Sequence, residues 1–302
     1  MGTITRGSFA KALWPGINKW YGMEYTEWPV EYSDIFTTNQ SNQAYEEDVL
    51  IQGFGLASVK NEGDSIEFDD AKQAWVTRYT NVTYAKGFVV TREMYEDKLY
   101  NIMEKRSKAL AFSMRQTKET VGANVLNRAE NGSYVGGDGK TLFSTIHPLA
   151  IGGTWANILA TDADLSESSL EQACIDIEGF VDDRALKISA MPHCLIVPRQ
   201  LGFEAERILK SYLQNDSANN ALNALMSRNS FPGGTKINHY LTDTDAWFIK
   251  TNVPDGMKMF QRRTMQFDMD NDFDTENAKA KNTERYVFGW TDWRGVWGTP
   301  GA

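Results

Sequence analysis

The longest regular stretch of the chain is residues 91–129, where apolar and polar residues follow each other with a helical period. Apolar side chains recur at steps of three and four residues, which places them on one face of an amphipathic helix. Thr91 is suited to cap the N-terminus, and a helix of this extent is roughly 55 Å long, well above the usual length. The apolar positions do not keep the strict heptad of a coiled coil, which is the alternative interpretation. We therefore predict one long spine helix packed against a sheet, with Leu99, Ile102 and Leu110 on its buried face.

Between residues 53 and 90 the pattern changes to an alternation of apolar and polar residues, which is typical of strands. Residues 59–68 form the first candidate strand, and the second begins near Trp75. The acidic run at residues 69–72 lies between them, so the pattern predicts a long two-stranded hairpin with its turn at this run. Because an isolated hairpin is only marginally stable in water, this one should rest on some other structure.

The first 48 residues are aromatic but keep no regular period. Proline follows tryptophan at Trp14 and again at Trp28, and these dipeptides break any long element. The segment is too apolar for a solvated tail and too interrupted to form a core of its own. Two interpretations stay open, namely a strap lying on its own domain and an arm that packs on a neighbouring subunit.

Helical and strand patterns follow each other after residue 160, which indicates an α/β unit inserted between the spine helix and the last strands. Ser166 or Ser168 can cap the first helix of this unit. The predicted elements are helices at 165–183 and 199–213, a polar loop at 215–234, and strands at 193–198, 236–241, 246–250, 257–273 and 286–297.

The patterns predict an α+β fold with five regions along the chain. The last region should return to the spine helix and complete the sheet on which that helix lies. The regions are an N-terminal arm at 1–48, the hairpin at 49–90, the spine helix with its following loop at 91–159, the α/β unit at 160–254 and the return strands at 255–302.

The composition excludes several classes of function, although it says little about the fold. The 302 residues include 9 Trp, 12 Tyr and 15 Phe, and aromatic residues are enriched in protein–protein interfaces. A net charge of −9 argues against a dedicated nucleic-acid-binding protein, which would carry a basic face. No window of eighteen apolar residues and no signal peptide are found, so we expect no membrane contact and a cytoplasmic site of synthesis. Cys174 and Cys194 lack metal-ligand spacing and are predicted to be buried free thiols.

The sequence contains no arrangement of residues that predicts catalysis. The glycine-rich run at 136–141 lacks a glycine at Tyr134, where a phosphate-binding loop requires one. Alternate aspartates at residues 268–274 fit a strand with an acidic, solvated face better than a calcium loop, although a cation shared between subunits is the alternative. His147 precedes a proline in a loop and is interpreted as structural. We predict no catalytic, cofactor-binding or metal-binding residue.

Three stretches carry a family resemblance, and their order along the chain matters more than any one of them. They are residues 12–17 (ALWPGI), 138–148 (DGKTLFSTIHP) and 288–294 (FGWTDWR). Together with the order of arm, hairpin, spine helix, inserted unit and return strands, they resemble the major capsid protein of tailed bacteriophages, the fold first described for phage Hong Kong ninety-seven. The Mu-like major head subunit group is the most similar in these stretches. In the terms of that family, the five regions are the N-arm, the E-loop, the P-domain with the spine helix, the inserted A-domain and the P-domain return strands.

The resemblance implies a virion protein that forms hexamers and pentamers in an icosahedral shell around double-stranded DNA, without sequence-specific DNA binding. It also implies assembly in the cytoplasm of a bacterial host, with a separate scaffolding protein, a portal and optional decoration proteins. An encapsulin-type compartment is the second hypothesis, and a soluble α/β enzyme is the third. The candidate assembly contacts are aromatic residues of the arm and residues around the hairpin turn: Trp14, Trp20, Trp28, Glu67, Asp69, Asp70, Lys72 and Trp75.

Overall fold

The computed structural model describes the chain except for residues 1–18, 20, 23–24, 27–28, 64, 71–72, 92, 94–99, 215–220 and 273–276. Its helices are α1 (Tyr32–Ile35), α2 (Tyr100–Asn127), α3 (Glu167–Glu178), α4 (Gly202–Lys210) and α5 (Ala224–Ser227). Its strands are β1 (Thr37–Gln40), β2 (Tyr45–Ile51), β3 (Gln73–Thr80), β4 (Val82–Val90), β5 (His147–Pro148), β6 (Thr154–Trp155), β7 (Pro192–Pro198), β8 (Thr235–Asn238), β9 (Trp247–Thr251), β10 (Met257–Asn271), β11 (Ala278–Trp290) and β12 (Val296–Thr299).

Two four-stranded sheets and a two-stranded ribbon organise the fold. Sheet I has the order β1–β10–β11–β4, and sheet II has the order β12–β9–β7–β8. Strands β2 and β3 form the ribbon, which is separate from both sheets. Most neighbours are antiparallel, but β1 runs parallel to β10 and β8 runs parallel to β7. The predicted α+β fold class is confirmed.

The spine helix is confirmed over α2, which packs against β4 and β11 of sheet I. Its buried face includes Met103, Leu110 and Met114, and Leu110 is 5% exposed as predicted. Ile102 was predicted to be buried, but it is 39% exposed. A helix turns by about 100° per residue, so the stripe that runs through Met103 and Leu110 leaves Ile102 at its side. Leu99, the third residue predicted for this face, lies outside the described residues.

The described part of the N-terminal arm packs on its own chain. Tyr21 is buried and stacks on Phe267 of β10 at 4.7 Å between ring centroids. The Tyr25 hydroxyl donates to Glu284 at 2.7 Å, and this buried glutamate also lies 3.4 Å from Lys118 of the spine helix. The described residues between 21 and 35 therefore include a strap that packs through Tyr21 and Tyr25 on sheet I. Trp14, Trp20 and Trp28 fall outside the described residues.

The prediction of the hairpin was half wrong. Strand β3 forms as expected, but its partner is β2 and not residues 59–68, and the described residues between 52 and 70 lie in no strand. A turn at Glu62–Gly63 interrupts the alternation there, and Gly63 has a φ of +88°, a left-handed conformation that favours glycine. Strand β4, which was assigned to the hairpin region, pairs instead with β11 in sheet I.

The α/β unit and the end of the chain differ from the prediction in two places. Ser166 caps α3, and β7, β8 and β9 form where expected, but the predicted polar loop after residue 215 contains α5 with Leu225 buried. The single strand predicted at 286–297 is two strands separated by a 3-10 turn at Trp293–Gly295. The Asp292 carboxylate accepts from the Arg294 N–H at 3.0 Å and starts this turn, so that β12 leaves sheet I and pairs with β9 in sheet II.

Candidate assembly surface and the network behind it

The most exposed apolar side chains of the described residues lie between β2 and β3, in a segment that we name the distal loop (residues 52–70). Val59 and Phe68 are each 92% exposed. Monomeric proteins rarely leave a contiguous apolar patch in water, and larger patches mark sites of interaction with other proteins. The exposed apolar residues of this loop are Phe54, Leu56, Val59, Ile66 and Phe68.

Of the charged residues in the distal loop, Asp69 and Asp70 bind Arg184, whereas Glu67 does not. Asp69 forms an ion pair with Arg184 and accepts a hydrogen bond from the Gly55 N–H at 2.8 Å. The hydrogen bond from Arg184, followed by that from Gly55, lowers the pKa of the Asp69 carboxyl. The Asp70 carbonyl accepts from Arg184 at 2.8 Å, whereas Glu67 is exposed to solvent.

Of the other two predicted contact residues near the turn, the structure describes only Trp75. Trp75 is half-buried on β3, and its buried indole N–H has no partner among the described residues. Lys72 is outside the described residues. The assignment of Trp75 and of the loop residues to contacts between subunits therefore stays a prediction.

Polar side chains anchor the base of the ribbon on sheet I. The Tyr79 and Thr291 hydroxyls lie 2.7 Å apart, and Thr291 donates to Asp48 of β2 at 2.5 Å. Lys258 of β10 pairs with Asp48 and, at 2.7 Å, with Asp255. Burial alone would lower the pKa of Lys258, but the bonds to Asp255 and Asp48 outweigh burial, and the pKa is raised. The ribbon is thus fixed at its base, while the distal loop extends beyond it.

The glycine-rich run at residues 136–141 also packs against the ribbon, through β3. A Cβ on Gly137 would lie 2.8 Å from the Val76 carbonyl oxygen and 2.8 Å from the Thr77 hydroxyl. A Cβ on Gly136 would lie 2.8 Å from the Trp290 indole nitrogen. Gly137 therefore permits a close backbone approach to β3 and Gly136 a close approach to Trp290 of β11, so the run packs against strands rather than binding phosphate.

His147 and Asn157 join this run to the end of the chain. His147 Nδ1 lies 2.6 Å from Asp138 and Nε2 lies 3.1 Å from Asn157 Oδ1, and the ring stacks on Trp293 at 4.5 Å. The Asn157 amide donates to the Leu142 carbonyl at 2.8 Å and to two carbonyls of residues 293–296 at 3.2 Å. The His147 and Asp138 side chains are 0% and 5% exposed, so this pair of histidine and aspartate is closed to a substrate. The structural interpretation of His147 is supported.

Arg294 completes the buried network. Its guanidinium pairs with Asp183 at 3.0 Å and with Asp292 at 3.2 Å, and its Nε donates to the Val181 carbonyl at 2.7 Å. Burial raises the pKa of Asp292, and the charge of Arg294 opposes that rise. Sequence reasoning missed both Arg294 and Arg184 as functional residues. Residues 288–294 were noted only as a motif, and Arg184 carried no signal because its partner Asp69 is 115 positions away.

The described residues contain no candidate metal centre and no helix that could span a membrane. Among them, no group of three His, Cys, Asp or Glu side chains could hold a metal ion. Asp268 and Asp270 of β10 are exposed and alternate with half-buried residues, as expected for a strand with one solvated face. Within the same described parts of the chain, no helix is long and apolar enough to span a bilayer.

The distal loop thus carries the most exposed apolar side chains of the described residues, while His147, Asn157 and Arg294 behind the ribbon are buried. An exposed apolar loop of this kind is typical of proteins that bind other proteins. The profile of a family described as phage capsid protein matches residues 75–298, which is most of the chain. The chain belongs to the phage capsid protein family, and its function is that of a major capsid protein of the phage shell.

Solved structures share the fold at low sequence identity. The procapsid of bacteriophage JBD30 aligns with a TM-score of 0.53 and 14% identity over 97% of this chain and 75% of that chain. A virus-like particle from Pyrococcus furiosus aligns with a TM-score of 0.52 and 11% identity over 94% of this chain and 97% of that chain. Mycobacterium phage Che8 aligns with a TM-score of 0.52 and 13% identity over 90% of this chain and 92% of that chain. No curated protein matches the chain. The phage capsid fold is confirmed, the encapsulin hypothesis is not favoured, and the Mu-like subgroup stays a prediction.

Proposed function

We propose that copies of this chain associate as hexamers and pentamers into a closed icosahedral shell around double-stranded DNA. The observation that carries the proposal is the distal loop, whose apolar side chains find no cover on their own chain although the two sheets are well packed. Burial of apolar surface is favourable by roughly 25 cal/mol per Å², so covering this loop would supply a large driving force for association. A second copy of the chain would cover it.

The proposed shell is non-enzymatic and belongs to the virion, and it is assembled in the cytoplasm of the bacterial host. A separate scaffolding protein and a portal are proposed as assembly partners, and decoration proteins as optional ones. Their support is the family resemblance. The net charge of −9 suits a wall that lies near the packaged DNA without binding it tightly or by sequence.

Electron microscopy of the expressed chain, alone and with the phage's other head proteins, tests this proposal. We expect closed shells, and we expect Val59→Asp with Phe68→Asp to reduce their yield because both side chains lose their apolar contact. Ser65→Asp is the matched control, since it adds the same kind of charge at an exposed position of the same loop. Small oligomers in every preparation would contradict the proposal, and shells filled with host enzymes in infected cells would favour a compartment instead.

A further inference from the structure

The segment that carries Arg184 is a rigid turn of the sheet II unit. The Asp182 carboxylate accepts from the backbone N–H groups of Arg184 and Leu186, each at 2.8 Å. Ala185 has a φ of +59°, which a non-glycine residue keeps only where the surroundings impose it. On the same turn, the Val181 carbonyl and the Asp183 carboxylate both accept hydrogen bonds from Arg294. The Arg184 side chain therefore leaves from a fixed backbone.

Arg184 meets the distal loop through several bonds at once. One guanidinium nitrogen pairs with the Asp69 carboxylate and the other donates to the Asp70 carbonyl at 2.8 Å. The same carboxylate accepts from the Gly55 N–H at 2.8 Å, so Asp69 also ties the outgoing leg of the loop to the returning leg. We name this set of contacts among Gly55, Asp69, Asp70 and Arg184 the clasp.

Apolar packing does not hold the loop in this place. An open groove of about 490 Å³ separates the end of β2 from the sheet II unit, and Ile51, Ile188 and Val253 are among the residues that line it. The large apolar side chains of the loop point to solvent, and Val59 and Phe68 are the most exposed of them. The clasp therefore connects the loop with the sheet II unit across the groove by polar bonds.

We propose that Arg184 is a positioning residue for assembly. The clasp holds the distal loop in one direction before another copy of the chain arrives, so that its apolar side chains are presented together. A loop that is already ordered loses less conformational entropy when it docks, and association is correspondingly stronger. This inference rests on the proposed function, because the docking partner is a second copy of the chain.

Charge reversal on each side of the clasp tests the proposal in the full-length chain. Arg184→Glu and Asp69→Arg should each raise the hydrogen-exchange rate of amides in residues 53–70 of the unassembled chain and lower the yield of particles. The double variant places the charges in reverse order and should recover a substantial part of both. Glu204→Arg makes the same kind of charge change at an exposed position of α4, outside the distal loop, and it should leave both measurements near those of the parent. Melting temperatures should stay equal across the set, because the clasp lies outside the core.

The outcomes test the clasp and the proposed shell separately. Exchange in residues 53–70 that is unchanged by either single variant overturns the clasp, whatever the particles do. Faster exchange with an undiminished particle yield overturns its positioning role. If the parent chain itself forms no particles under any condition, the proposed shell fails, while the exchange measurement still decides whether the clasp orders the loop.

Discussion

Arg294 joins two segments of the chain inside the molecule, because it binds Val181 and Asp183 of one segment and Asp292 of its own segment at the same time. Two carboxylates share one cation at a site that is almost fully closed to water. A buried ion pair adds little net stability compared with apolar residues of the same shape, but breaking it leaves an uncompensated charge in the interior. This arginine is therefore more important for how the segments meet than for the total stability.

We expect Arg294→Met to lower the free energy of unfolding by about 3–5 kcal/mol near neutral pH. The loss should shrink as the pH falls. The folded-state pKa of Asp292 is already raised by burial, so its protonated form is favoured in the folded chain, and stability falls as the pH rises through the range between the unfolded and folded pKa values. Without the opposing charge of Arg294 this pKa rises further.

Urea unfolding of parent and variant at pH 5 and pH 8 measures the effect, with Arg78→Met as the control. Arg78 is exposed and pairs with Glu47 at 3.1 Å, so its replacement should change stability by no more than about 1 kcal/mol. A deficit of the same size at both pH values would contradict the account of Asp292.

At the scale of the element, the spine helix shows that a local pattern of apolar residues is enough to predict a helix. Its periodicity is set by its own residues, and the same holds for α3 with its Ser166 cap and for β7. The distal loop was mispredicted because the true partner of β3 lies upstream of it and is chosen by contacts with sheet I. Pairings between distant residues, such as Asp69 with Arg184, leave no trace in either local sequence.

Leu110→Ala should cost about 2–5 kcal/mol through lost transfer energy and the cavity left behind, and it should yield insoluble or unassembled protein. Ile102→Ala is the matched control on the same helix, because a side chain that is 39% exposed loses less contact on truncation. Lys105→Ala at an exposed position should still form particles. Thermal unfolding ranks the three variants, and equal melting of Leu110→Ala and the parent would mean that the helix does not bury this face.

Gly137→Ala should loosen the ribbon at its base. The added methyl group would meet the Val76 carbonyl, which is part of a strand and cannot move aside, so we expect a cost of about 1–3 kcal/mol. Gly132→Ala in the same loop region has nothing within 4 Å of the new Cβ and should be close to neutral. Chemical denaturation distinguishes the two, and a neutral Gly137→Ala would contradict the close packing of the glycine-rich run on β3.

At the scale of the whole molecule, the chain is two packed units with a projecting loop. Parts of the N-terminal arm and all of β4 find their packing within the chain, because Tyr21 and Ile35 are buried on their own chain and β4 is inside sheet I. We therefore expect the two units to fold before assembly, and the most exposed large apolar residues of these described segments are those of the distal loop.

Hydrogen exchange before and after assembly should show this division. Amides of residues 53–70 should exchange much faster in the free chain than in particles, since docking would exclude water from the loop. Amides of β4 should be protected in both states. Equal protection of the distal loop in the two states would count against its role as the docking element.

The order of strands in the two sheets has a consequence for the synthesis of the protein. Strands β1 and β4 wait for β10 and β11, and sheet II is incomplete until β12 reaches β9. A nascent chain thus carries the spine helix, two of the four strands of sheet I and three of the four strands of sheet II, with apolar faces uncovered, until residues 257–299 emerge from the ribosome. Such intermediates aggregate readily, and they are the species that chaperones bind. Because the closing strands come last, a chain released early by a nonsense mutation before residue 257 would be trapped as an unfolded product and would not enter a growing particle as a defective subunit.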